Sequence, residues 1–191
     1  MTPVDWKKII DLYYPADRKV RGILVAHSRA VADGALELAR RKGLDLNPDI
    51  IEAASMLHDI GIIRTDAPGI DCHGTEPYLC HGAVGADMLR QAGVPEEIAR
   101  VAERHTGAGL LPEEIEAARL PLPPGRDYMP RTELERLICY ADCFFSKGPD
   151  IDRLAKPKTL ERVRASMARF GAGVAARFEA LRDEFGDLPT E

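Results

Sequence analysis

A chain of 191 residues, 45% apolar and 30% charged, is long enough to bury one substantial core without staples. Its net charge of -5 gives no basic footprint for a nucleic-acid polymer or an anionic lipid surface, and no apolar run reaches the roughly 18–20 residues that span a bilayer. The stretch from Met1 to Lys8 lacks a signal-peptide apolar core, so the expectation is a single cytoplasmic domain over residues 1–191, with no membrane partner and with Cys72, Cys80, Cys139 and Cys143 as free thiols.

In chain order, Val4 to Tyr13 reads as a short amphipathic helix, and Tyr14 to Asp17 as a turn with Asp17 as the next N-cap. From Arg18 to about Lys42 the residues Val20, Leu24, His27, Val31, Ala35 and Leu38 recur at helical spacing, and Gly43 ends the run. Asn47 and Pro48 open a third helix, whose apolar stripe is Ile51, Ala54, Leu57 and His58, and Gly61 stands where it can stop. Ile62 to Cys80 has no sustained period, and loops longer than about 12–15 residues are often functional. Helices are predicted from His81 to Gly93, from Pro95 to His105 and from Pro112 to Arg119, followed by a Pro-rich loop from Leu120 to Pro130. Thr132 caps a helix to about Ser146, and a last helix runs from about Thr159 to Phe185 with a kink or break at Gly171 and Gly173. No convincing strand is present, and the class is all-α.

Several helices place a polar side chain where the pattern asks for an apolar one: His27, His58 with Asp59, His105 and Asp142, with His81 at a helix start. One histidine in a stripe is usually a hydrogen-bonded core residue. A core that buries imidazoles and carboxylates from separate helices needs a shared partner, and helix bundles build metal sites from inward-facing ligands. Imidazole and carboxylate suit Fe, Mn, Zn, Co or Ni, and two carboxylate oxygens allow Asp59 to bridge. The set divides into one ion held by His27, His58, Asp59 and Asp142, and a second held by Asp59, His81 and His105.

The strings Leu57-His58-Asp59-Ile60-Gly61, His81-Gly82-Ala83-Val84-Gly85-Ala86, His105-Thr106-Gly107-Ala108-Gly109 and Tyr140-Ala141-Asp142 resemble the HD-domain (HDIG) metal-dependent phosphohydrolases. The likeness covers roughly residues 20–147, is nearest to small stand-alone members of archaea and bacteria, and extends more distantly to HD-domain diadenosine tetraphosphate hydrolases. It implies an HD-domain bundle core over about residues 18–147, with the C-terminal helix of about 159–185 beyond it. In the family, the first histidine, the His-Asp pair and the last aspartate hold a metal, while the middle histidines hold a second one or contact phosphate. Many relatives carry Lys soon after the HDIG glycine, whereas Ile62-Ile63-Arg64 follows here, and the next loop carries an extra His73.

The expected activity is hydrolysis of a small phosphorylated, nucleotide-like substrate, with one or two divalent transition-metal ions lowering the pKa of a water and neutralising phosphoryl charge. Asp59 bridges, Arg64 and Lys147 are candidate phosphate contacts, and His73 is a candidate proton donor to the leaving group. Two other functions use the same ligands: a di-iron oxygenase of the HD fold, and a non-catalytic nucleotide or metal sensor. The final helix is available to complete the core or to form a homodimer face.

Overall fold

The computed structural model describes residues 4–188, so the first three and last three residues of the expected domain lie outside the described residues. Among the described residues ten α-helices follow one another: α1 Trp6–Tyr13, α2 Lys19–Lys42, α3 Pro48–Leu57, α4 His81–Gln91, α5 Glu96–Arg104, α6 Pro112–Ala117, α7 Glu133–Asp142, α8 Ile151–Leu154, α9 Leu160–Arg169 and α10 Ala172–Phe185. The architecture is a helical bundle around α2, which packs against α3, α7, α8 and α10, while α4 and α5 pair on the far side of α3. None of the described helices is long and apolar enough to cross a membrane.

Local chemistry sets most boundaries. Asn47 accepts a hydrogen bond from the Asp49 N–H at 2.9 Å, with Pro48 at the first helical position of α3. Gly43 closes α2 in the left-handed region at φ 63°. Thr132 and Glu135 form a reciprocal capping box at the start of α7, an arrangement that contributes about 1 kcal/mol.

Three boundaries and one loop differ from the sequence expectation. Asp17 does not cap α2, which begins after Arg18 without a cap from its own segment. The cap comes from the loop: Asp71 accepts from the Val20 N–H at 3.4 Å and pairs with Arg18 at 3.2 Å. Gly61 does not end α3, which already stops at Leu57, and a tight turn over Ile60–Arg64 follows. Instead, Gly61 is where that turn crosses α4 backbone to backbone. The α7 helix ends at Asp142 and tightens into i→i−3 bonds through Phe145, short of Ser146. The loop after Asp59 contains one minimal antiparallel ladder, β1 Asp66–Ala67 with β2 Cys72–His73. Two residues per strand are too few for alternation to register in a sequence.

The expected helix over about 159–185 is two helices broken at Gly171, whose φ of 118° only glycine tolerates readily. The break lets α10 return against α7, where Tyr140 packs with Phe144, Phe178 and Phe185 and donates its hydroxyl to the Gly186 carbonyl at 2.8 Å. Each buried aromatic side chain contributes on the order of 2 kcal/mol of transfer free energy. The C-terminal helix therefore completes this chain's own core. All four cysteines are free and buried, and the Cys139 and Cys143 thiols donate to the Gly107 carbonyl, fixing the loop after α5 to α7.

Candidate metal centre

Three helices end on one point. The last residues of α3 and α5, Leu57 and Arg104, are followed directly by His58 and His105, and α7 ends on Asp142 itself. A helix C-terminus carries unsatisfied carbonyls and partial negative charge. The carbonyls orient the imidazoles: Nδ1 of His58 donates to Ser55 O at 2.6 Å, and Nδ1 of His105 donates to Ala102 O at 2.8 Å. His81, after the turn Tyr78–Cys80, does the same to Tyr78 O at 2.6 Å. Each of these rings thereby turns Nε2 inward, the atom a cation binds once it carries no proton. His27 enters from the middle of α2, wholly buried.

The inward atoms form two groups that meet at Asp59. Asp59 Oδ2 lies 3.2 Å from Nε2 of both His27 and His58, while Asp142 Oδ1 is 3.0 Å from His27 and 3.4 Å from His58. Asp59 Oδ1 lies 3.3 Å from Nε2 of both His81 and His105. Within each group the donor atoms fall within 4.8 Å of one another. Ligands about 2.1 Å from a cation and at right angles stand about 3 Å apart, which is the spacing seen here. Neither Asp59 oxygen nor Asp142 Oδ1 has a well-directed hydrogen-bond donor despite full burial. The Lys147 ammonium lies 2.8 Å from Asp59 Oδ2 as an ion-pair partner, outside the hydrogen-bonding direction.

Burying ionised groups costs several kcal/mol each unless opposite charge answers them. Burial pushes the Asp59 and Asp142 carboxyls up, but His58 and Lys147 outweigh it and hold both well below the usual carboxylate range. Burial also depresses His58, yet the adjacent Asp59 and Asp142 raise it to about 10. His81, where burial dominates, is lowered to about 3 and is neutral at physiological pH. The chain's own charges thus answer two carboxylates with one imidazolium and one ammonium. Divalent cations would do so with less strain, displacing the His58 proton as they bind. Orphaned carboxylate oxygens, inward-turned Nε2 atoms and three converging helix C-termini all fit a pair of divalent cations sharing Asp59.

All six expected ligands are brought together, and Lys147 joins them. Arg64 and His73 are not. The ladder and the Asp71–Arg18 bridge pin the loop so that His73 stands 59% exposed beside Asp71 Oδ1 at 3.2 Å. Arg64 is exposed and lines a separate depression with Glu76 and Asp87.

Two further residues carry no mark in the sequence. Tyr78 stacks on His81, with ring centres 4.9 Å apart and planes at 27°. Lys158, far along the connector, lines the cleft of about 540 Å³ that opens on His81 and Asp142. The only signal for Tyr78 is its place in an irregular, aromatic-containing loop. For Lys158 there is none, because it is one cation among many.

Comparison with known proteins agrees with this geometry. The HD domain family model matches residues 24–145. The uncharacterised protein MJ0778 of Methanocaldococcus jannaschii is 41% identical over 138 residues, covering 70% of this chain and 73% of that protein. A tRNA (cytidine(56)-2'-O)-methyltransferase of Thermoplasma volcanium is 36% identical over 123 residues, covering 64% of this chain and 32% of that protein. The corresponding Picrophilus torridus enzyme is 32% identical over 138 residues, 72% of this chain and 35% of its own. The chain thus spans about a third of each methyltransferase. The crystal structure of the HD domain of the L. monocytogenes phosphodiesterase PgpH covers 95% of both chains with a TM-score of 0.54 at 19% identity, a likeness of fold. None of these relatives is a diadenosine tetraphosphate hydrolase, and that more distant likeness has no support among them. With the matched residues spanning His27 through Asp142, the chain belongs to the HD-domain metal-dependent phosphohydrolase superfamily.

Proposed function

We propose that this protein hydrolyses a phosphate ester or anhydride of a small, nucleotide-like molecule. The observation that carries this reading is the meeting of two ligand groups at one carboxylate, beneath a mostly apolar cleft of about 540 Å³. Divalent cations held there supply Lewis acidity toward an attacking water and charge against the phosphoryl oxygens. The chain's residues do the rest. His27, His58 and Asp142 hold one side of the centre, His81 and His105 hold the other, and Asp59 joins them. Tyr78 keeps His81 in place by stacking and through its carbonyl. The apolar wall of the cleft, including Met167 and Phe170, accepts the non-phosphate body and limits water around the reacting group.

The test is a screen of phosphomonoesters, phosphodiesters and phosphoanhydrides with the chain loaded separately with Mn, Fe, Co, Ni, Zn and Mg. Turnover is expected with at least one transition metal, lost on chelation and restored on reloading. Absence of product with every metal would overturn the reading. Oxygen consumption by the iron form without phosphate release would replace it with an oxygenase.

Lys147 is assigned to the phosphoryl oxygens, because its buried ammonium already faces the bridging carboxylate. Lys147→Met should lower kcat/KM for a phosphate substrate by about 10²-fold, the scale of losing one positioned charge at developing negative charge. Metal content, read by mass spectrometry, should stay unchanged. Loss of metal would make Lys147 a counter-charge of the centre rather than a substrate contact.

A further inference from the structure

Beside the metal-centre cleft lies a second recess of about 600 Å³, walled by the connector after α7 and by α9. Its charged lining among the described residues consists of Arg153, Lys156, Lys158, Arg162 and Arg169, with no carboxylate among them. Arg153 on its rim pairs with Asp150 at 3.1 Å. Among the described residues, Lys156, Lys158, Arg162 and Arg169 have no carboxylate within ion-pair distance. What sets them apart is that all four line one recess, in a chain of net charge -5. Elsewhere Arg90, Arg126, Arg136, Arg164 and Arg177 each hold a Glu or Asp. Cations gathered without counter-charge repel one another, and a multiply charged anion relieves that repulsion. Guanidinium groups recognise phosphate in a two-pronged geometry.

The recess is joined to the metal centre. Lys158, Ser166 and Arg169 line both it and the cleft that opens on His81 and Asp142. Lys158 is located from its backbone, whose N–H donates to Phe144 O at 2.7 Å and ties the connector to the end of α7. Its ammonium is half-buried, and burial pulls its pKa below the ordinary lysine value. Between the two charged ends the cleft wall is apolar, with Phe170 69% exposed at the break before Gly171.

We propose that this recess is a second anion subsite that binds a phosphate group of the substrate other than the one cleaved, so that the substrate is a small molecule carrying at least two phosphates. The proposal rests on the phosphohydrolase reading for its link to turnover, but not for its binding. A confined basic recess on an otherwise acidic molecule suits a compact polyphosphate better than a polymer, which needs a basic stripe along its length.

The experiment compares the full chain with Lys156→Gln/Arg162→Gln, two residues that line the recess but not the metal-centre cleft. Inorganic tripolyphosphate binding is measured by calorimetry in chelator, where the metal centre contributes nothing. Kinetics are measured with manganese on p-nitrophenyl phosphate and on a nucleoside triphosphate. The double variant should weaken tripolyphosphate binding at least tenfold and raise KM for the triphosphate by a similar factor. Its kcat should stay within twofold, and p-nitrophenyl phosphate kinetics should be unchanged. Lys156→Arg/Arg162→Lys should retain most of the binding, and Arg162→Gln alone should lose part of it. If the wild type hydrolyses neither substrate while the double variant still loses tripolyphosphate, the subsite stands and the hydrolase reading falls. Equal tripolyphosphate binding by wild type and double variant overturns the subsite. Tighter binding of a single-stranded RNA, lost in the same double variant, overturns the small-molecule assignment.

Discussion

Asp59→Asn is expected to remove both metal binding and turnover while leaving the chain folded. The carboxylate is wholly buried and serves two pairs of imidazoles, Oδ2 facing His27 and His58, and Oδ1 facing His81 and His105. An amide keeps the shape but has one oxygen where two are needed. Its NH2 would face one pair of Nε2 atoms as a donor and could not serve as an anionic ligand. The loss of a bridging charge should lower kcat/KM by about 10³-fold or more, equivalent to about 4 kcal/mol of transition-state stabilisation. Metal analysis of the purified variant should show both ions lost or strongly depleted. Circular dichroism should still report a helical protein, because the variant removes a buried charge rather than a packing contact. Full metal content in Asp59→Asn would refute the bridging assignment.

The second large effect is structural. Gly61→Ala should destabilise the protein by about 3 kcal/mol or more, lowering Tm by roughly 6–12 °C for a chain of this size. A methyl group on Gly61 would lie 2.1 Å from the His81 carbonyl oxygen, 2.5 Å from Gly85 N and 2.8 Å from Gly85 Cα. All three are backbone atoms, so no side chain can swing aside. The α4 helix would have to move off the Ile60–Arg64 turn. That movement separates His81, at the start of α4, from Asp59, two residues before Gly61. The group of Asp59, His81 and His105 should therefore lose its ion before the other group does. Gly69→Ala is the control, since no atom lies within 4 Å of its Cβ position. An unchanged melting temperature in Gly61→Ala would falsify the backbone-crossing account.

The same glycine shows why parts of the fold were legible and parts were not. Asn47, Pro48, Gly43 and Thr132 act within a few residues of themselves, so their roles at helix ends can be read locally. The cap of α2 could not be read so, because Asp71 reaches it from a loop about fifty residues away. Gly61 is likewise a long-range residue: it looks like a helix stop in one dimension and is a crossing point in three. The break at Gly171 was legible as a break, but not the consequence that α10 turns back to cover Tyr140.

For the centre, helical periodicity was enough to single out His27, His58, Asp59, His105 and Asp142, because a polar side chain in an apolar stripe must be buried and must be answered. His81 needed only its position at a helix start. Their division into two groups about one carboxylate was also anticipated from the two oxygens of Asp59. What the sequence could not sort was the supporting cast. Arg64, His73 and Lys147 were equal candidates, and the fold brings Lys147 to the carboxylates while the pinned loop directs His73 to solvent.

By itself, then, the order of residues determined most of the helices, the His and Asp residues that cluster in the core, and the family, since burial pattern and helix-end chemistry are local properties of a chain. Only the tertiary structure decided which cations meet the centre, which face of Asp59 serves which pair of histidines, and where a basic recess adjoins the cleft. Those depend on the paths of irregular segments between helices, and these are set by contacts distant in sequence and carry no period of their own.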